Sequence, residues 1–151
     1  MLKSHCKNHL GIYIIDYMVH FQQDYMYGIT NQKKVLPFLK SYFKEEIKEC
    51  PSRWSKYDFR SENALFELKS RKIKKNHYQT TLLTCNKVVP DESKELNFIF
   101  DFKDELCYIP YDKETFSTFE KRMYSRVNEA EDEKEYYFIP IDCLKTIQTY
   151  G

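Results

Sequence analysis

Residues 54–72 read WSKYDFRSENALFELKSRK, and the conformation of this stretch decides the fold. Two readings fit it. If 64–69 (ALFELK) is a strand, side chains alternate, so Ala64, Phe66 and Leu68 share one face while Leu65, Glu67 and Lys69 share the other. Asp58, nine residues before Glu67 across a tight turn, then returns on the neighbouring strand and brings a second carboxylate to Glu67 and Lys69. If instead 61–75 is a helix, Ser61 is its N-cap and Glu62 its first-turn acid. Ala64, Leu65 and Leu68 form its apolar side, the cations gather near its C-terminus, and Glu67 is a surface charge. Local propensity favours the helix.

The strand reading carries chemistry. Two carboxylates hold a hard divalent cation, which activates water and neutralises charge building on a phosphodiester, while an ammonium beside them orients the water or steadies the transition state. The segments around it read as follows. Val35, Leu36, Leu39, Tyr42, Phe43 and Ile47 recur at helical spacing, predicting a helix that opens near Thr30-Asn31 and runs to about Glu49. Thr80–Val89 fits either a short strand or the start of a helix. Asn97–Phe102 and Leu106–Tyr111, separated by Lys103-Asp104-Glu105, predict a hairpin. A helix is predicted from Lys113 to about Tyr124, then an acidic loop at Asn128–Glu135 and a last strand at Tyr136–Ile141. Residues 10–27 fit a strand or a buried helix equally well. This order of elements predicts an α/β or α+β sheet with helices packed on it.

Length and composition bound the remaining possibilities. A chain of 151 residues, 42% apolar and 17% aromatic, predicts one folded domain rather than a disordered or repetitive chain. The apolar stretch around Leu10–Val19 is broken by Asp16 and falls short of a bilayer span, and no secretory core is visible, so no membrane association is expected. Five scattered cysteines without a CxxC pair suggest neither a disulfide framework nor a zinc site and fit an intracellular compartment.

The net charge of +1 conceals a division at Pro90. Residues 1–90 carry 16 Lys/Arg against 8 Asp/Glu, and residues 91–151 carry 8 against 15. The densest run, Lys69, Arg71, Lys72, Lys74 and Lys75, followed by His77, could neutralise several phosphates, as could Lys87 further on. A solvated charged face is the alternative for such a run.

Asp58 followed by Glu67-Leu68-Lys69, with an aromatic strand before it and a helix upstream, resembles the PD-(D/E)XK nuclease superfamily, the restriction-endonuclease-like fold. The runs YDF (Tyr57–Phe59), FELKSR (Phe66–Arg71), YQTTLLTCNKV (Tyr78–Val88) and FIFDFKDELCYIPYDKETF (Phe98–Phe116) are similar to a small nuclease-like family of bacteriophages and large DNA viruses. The resemblance covers roughly residues 32–145 and leaves 1–30 as an N-terminal extension. It implies a central mixed sheet flanked by helices and Mg²⁺- or Mn²⁺-dependent hydrolysis of DNA, with RNA also open. Asp58 and Glu67 would be metal ligands and Lys69 the catalytic lysine. Arg71, Lys72, Lys74, Lys75, His77 and Lys87 would contact nucleic acid. Many members add a Glu from the first helix. Here Gln32 stands near that helix start, and Glu46 is the acid taken as the further ligand. Small members often dimerise, and others keep the fold as binding or scaffold proteins without catalysis.

Overall fold

The computed structural model describes residues 26–27, 30–51, 55–90, 93–125 and 133–151, so the ambiguous N-terminal stretch lies almost entirely outside the described residues. The chain divides into two compact units, Met1–Lys34 and Val35–Gly151. In the first, residues 26–27 and 30–34 are helical. The rest of helix α1 (residues 30–43 as a whole) opens the second unit. It stops short of the predicted Glu49 because Lys44 turns into the left-handed region (φ 55°) and its N–H closes the helix on Lys40 O at 2.9 Å. Ile47, freed from the helix, is fully buried.

The chain then forms β1 (Lys48–Glu49), β2 (Phe59–Arg60), β3 (Ala64–Ser70), β4 (Thr80–Thr84), β5 (Glu95–Asp101), β6 (Glu105–Pro110), the short helix α2 (Lys113–Ser117), β7 (Glu120–Tyr124), β8 (Lys134–Pro140) and β9 (Lys145–Thr149). The fold is α+β, with a six-stranded mixed sheet in the order β1-β2-β3-β5-β6-β9 and a second sheet in the order β4-β8-β7. The predicted hairpin is β5 and β6, paired antiparallel with Asn97 opposite Pro110.

Residues 64–70 are a strand, as the nuclease-like reading requires. Phe66 pairs across from Phe59 on β2 and from Asn97 on the parallel strand β5, and hydrogen bonding on both edges overrides the local helix preference. Alternation then sorts the side chains. Ala64, Phe66 and Leu68 join Val35, Leu39 and Ile47 in the core under α1, whereas Leu65 packs on the opposite core with Phe98, Phe100, Leu83 and Ile139. Glu67 and Lys69 therefore point to the side covered by the second sheet. From Leu96 to Asp101 every residue of β5 is buried, as expected of a strand covered on both faces. Phe66 is fully buried and meets Phe43 edge-on at 5.2 Å. Phe66→Ala is expected to cost about 3–5 kcal/mol, measurable as a lowered urea midpoint.

The mixed sheet is flanked by helices as expected, α1 on one face and the five-residue α2 on the other beside the β4-β8-β7 sheet. Two expectations are corrected. The helix predicted to reach Tyr124 ends at Ser117, where the hydroxyls of Ser117 and Thr118 take the carbonyls of Glu114 and Thr115, and Glu120–Tyr124 forms an exposed strand on β8 instead. The final predicted strand is present as β8 but is followed by an unpredicted one, β9, at the edge of the large sheet. Most of the predicted acidic loop (126–132) lies outside the described residues. Among the described residues no helix is long and apolar enough to cross a membrane.

Candidate active site

Asp58 sits immediately before β2 and is tied to the backbone on both sides of Glu67. Its N–H donates to Phe66 O (3.0 Å), and its Oδ2 accepts from Leu68 N–H (2.8 Å). The side chain thus takes the place of a ladder partner where the short β2 has not yet begun. It also sets the Asp58 carboxyl close enough to Glu67 for its charge to raise the proton affinity of Glu67.

Glu67 is 3% exposed. Burial raises its proton affinity, the neighbouring Asp58 charge raises it further, and Lys69 and Lys87 oppose both. Asp58 is likewise pushed up by burial, against the Leu68 N–H bond and the two lysines. Two carboxyls forced together out of water are each less acidic than usual. Lys69 Nζ lies 3.1 Å from Glu67 Oε2.

The fourth member is Lys87, whose Nζ is 3.5 Å from both Glu67 oxygens and donates to Lys56 O at 2.7 Å. The parallel connection from β3 to β5 carries β4 and a 3₁₀ turn at Cys85–Lys87, and this turn brings Lys87 back over β3. The buried Tyr57 anchors it by donating its hydroxyl to Lys87 O at 3.1 Å. Sequence reading grouped Lys87 with the phosphate-contacting cations and missed this placement, because it depends on a crossover that residue spacing does not encode. Cys50 borders the site through its N–H on Asp58 O (2.9 Å), but burial pushes its thiol up, which makes it a poorer ligand and nucleophile.

The remaining candidates divide. Glu46 is exposed in the loop between α1 and β1, and among the described residues no cluster of three or more His, Cys, Asp or Glu side chains forms. Glu46 is therefore not brought to the carboxylate pair, because the helix that was to carry it ends at residue 43. Gln32 belongs to the first unit. Arg71 is turned inward: Nη2 donates to Leu82 O (2.6 Å), Nε to Thr81 Oγ1 (3.3 Å), and the guanidinium lies 5.7 Å from the Phe100 ring centre. Lys75 pairs with Glu105 at 3.1 Å. Lys72, Lys74 and His77 are exposed, His77 edge-on to Tyr78. Arg71→Ala is expected to destabilise the fold by about 1.5–3 kcal/mol in chemical denaturation, the range for hydrogen bonds to a charged group. Lys at this position should not restore it, lacking the planar fork that serves two acceptors.

A carboxylate pair with a lysine on the same strand can hold a hard cation and act on a phosphate ester. Mg²⁺ keeps several waters and needs only one or two protein carboxylates, so the oxygen donors of Asp58 and Glu67 fit it without a third side-chain ligand. Compared with known protein families, curated proteins and solved structures, the chain matches none.

Proposed function

We propose that this chain is a Mg²⁺-dependent nuclease of the PD-(D/E)XK type that hydrolyses DNA phosphodiester bonds. The observation that carries this reading is the convergence of Asp58, Glu67 and Lys69 on the face of a strand whose helical alternative is excluded. Asp58 and Glu67 would hold the cation, which when bound supplies charge neutralisation at the phosphate and lowers the proton affinity of an attacking water. The Leu68 N–H fixes the Asp58 carboxylate, and burial of Glu67 limits its competition with solvent. Lys69, with its side chain 29% exposed, keeps an ammonium free to turn from Glu67 to a phosphoryl oxygen as negative charge accumulates there. The exposed Lys72 and Lys74 supply backbone attraction beyond the end of β3.

A second reading is a binding or scaffold protein that keeps the fold without catalysis. It is favoured by one observation: Lys69 and Lys87 already balance the charges of Asp58 and Glu67. Incubation of the protein with linear, nicked, branched and single-stranded DNA, and with RNA, under Mg²⁺, Mn²⁺ or EDTA separates the two. Products that require the metal are expected; salt-sensitive binding with no products under either metal supports the scaffold.

A further inference from the structure

The geometry points to a nucleobase-binding pocket next to the carboxylate site, which would make single-stranded DNA the preferred ligand. Ile73, Phe102 and Leu82 help to enclose a cavity of about 220 Å³ between the loop after β3 and the β4-β8-β7 sheet. Cavities for drug-sized molecules run from about 300 Å³ upward, so this one suits a single planar ring system.

Its rim has the chemistry for a base. Tyr124 and Tyr136 stand edge to face at 5.9 Å, Tyr124 is 45% exposed, and Tyr78 across the cavity is 61% exposed. Exposed aromatic rings beside cations are how single strands are held without sequence readout, because every base has a face to stack. Arg71 and Lys75 are the cations that line the cavity, and the exposed Lys72 and Lys74 lie between them along the same loop. In a duplex the bases are already stacked on one another, so only an unpaired strand can offer one to this cavity.

The pocket lies along the chain from the proposed site. Glu67, Lys69 and Arg71 recur at every second residue, and Arg71 lines the cavity four positions past Glu67, about 13 Å at strand rise. Arg71 reaches β4 through Thr81 and Leu82, which places the cavity on the side to which Glu67 and Lys69 point. A strand whose phosphate lies at Lys69 could seat a neighbouring base between the tyrosines. The position of the pocket relative to a scissile bond rests on the nuclease reading; base binding itself does not.

The test is fluorescence anisotropy in EDTA, where no cleavage occurs, with labelled oligothymidylate and a duplex of equal length. The intact chain is expected to prefer the single strand. Tyr124→Ala and Tyr78→Ala should each weaken that binding about five- to hundredfold, leave duplex binding unchanged and preserve the salt dependence, while Tyr124→Phe retains affinity. Lys72→Ala should lower the slope of affinity against salt for both ligands. Single-strand affinity unchanged in folded Tyr124→Ala and Tyr78→Ala, or a wild-type preference for duplex, would overturn the proposal. Tyrosine-dependent binding by a protein that cuts nothing under Mg²⁺ would support the pocket while rejecting the nuclease reading.

Discussion

Lys69→Ala is expected to lower Mg²⁺-dependent cleavage by about 10²–10³-fold, the usual cost of removing one group that stabilises developing transition-state charge. Two lysines reach Glu67, and their surroundings separate their roles. Lys87 donates to Lys56 O at 2.7 Å and rides on a turn anchored by Tyr57, so its ammonium is committed to the protein. Lys69 lies on the same strand as Glu67 and has the shorter contact, 3.1 Å against 3.5 Å. Its loss should therefore appear in kcat with little change in KM, as befits an interaction made in the transition state. Lys87→Ala should cost less activity. Glu67→Ala should abolish cleavage, since it removes one of the two proposed ligands and the carboxylate that both lysines face. Equal losses in the two lysine variants, or cleavage surviving Glu67→Ala, would remove Lys69 from the assigned role.

The second large effect is on stability. Mg²⁺ at one hundred times its dissociation constant should stabilise the folded chain by about 2.7 kcal/mol. For a chain of this size that raises Tm by about 5–10 °C. The effect should depend on pH with a defined sign. Asp58 and Glu67 both have their carboxyls raised, mainly by burial. In the metal-free protein they hold protons at a pH where the unfolded chain has released them, so the stability they contribute is complete below the ordinary carboxylate range. It is lost as pH rises through the raised values. Mg²⁺ takes the deprotonated pair, so the Tm increment should grow over that same rise and be larger at neutral pH than in mild acid. Thermal unfolding with Mg²⁺ or EDTA across this range measures it. An increment independent of pH, or one retained by Glu67→Gln, would argue that the ion binds elsewhere.

The central strand was not settled by residue pattern, since strand and helix periodicities both fit 64–69 and local propensity favoured the helix; the motif resemblance pointed to the strand. Ala64, Phe66 and Leu68 suit the face under α1, and only pairing with β2 and β5 decides against the helix. The hairpin β5–β6 was legible because large apolar residues run through both strands around a polar turn, the pattern of strands buried on both faces. β7 and β9 were not, since EKRMY is exposed throughout and KTIQT nearly so, leaving no alternation to detect.

Within the site, Glu67 and Lys69 follow from alternation once 64–69 is taken as a strand, the choice the resemblance made, and Asp58 from its spacing to them. The fate of the cations was hidden. Nothing in the run from Arg71 to Lys75 marks Arg71 as bound to β4 or Lys75 as paired with Glu105, because those partners come from strands brought in by the crossover and the hairpin. Lys87 was concealed for the same reason, and Glu46 was misplaced by a helix end that turns on one residue, Lys44, in a conformation that favours glycine.

Titration of the metal-free protein with Mn²⁺, followed by the loss of free-ion electron paramagnetic resonance signal, addresses the carboxylate pair most directly. One bound ion per chain in the wild type, competed by Mg²⁺ and absent from folded Asp58→Asn and Glu67→Gln variants, is the expected result. Undiminished binding in those variants, or no binding by the folded wild type, would contradict the assignment of Asp58 and Glu67 as a divalent-cation site.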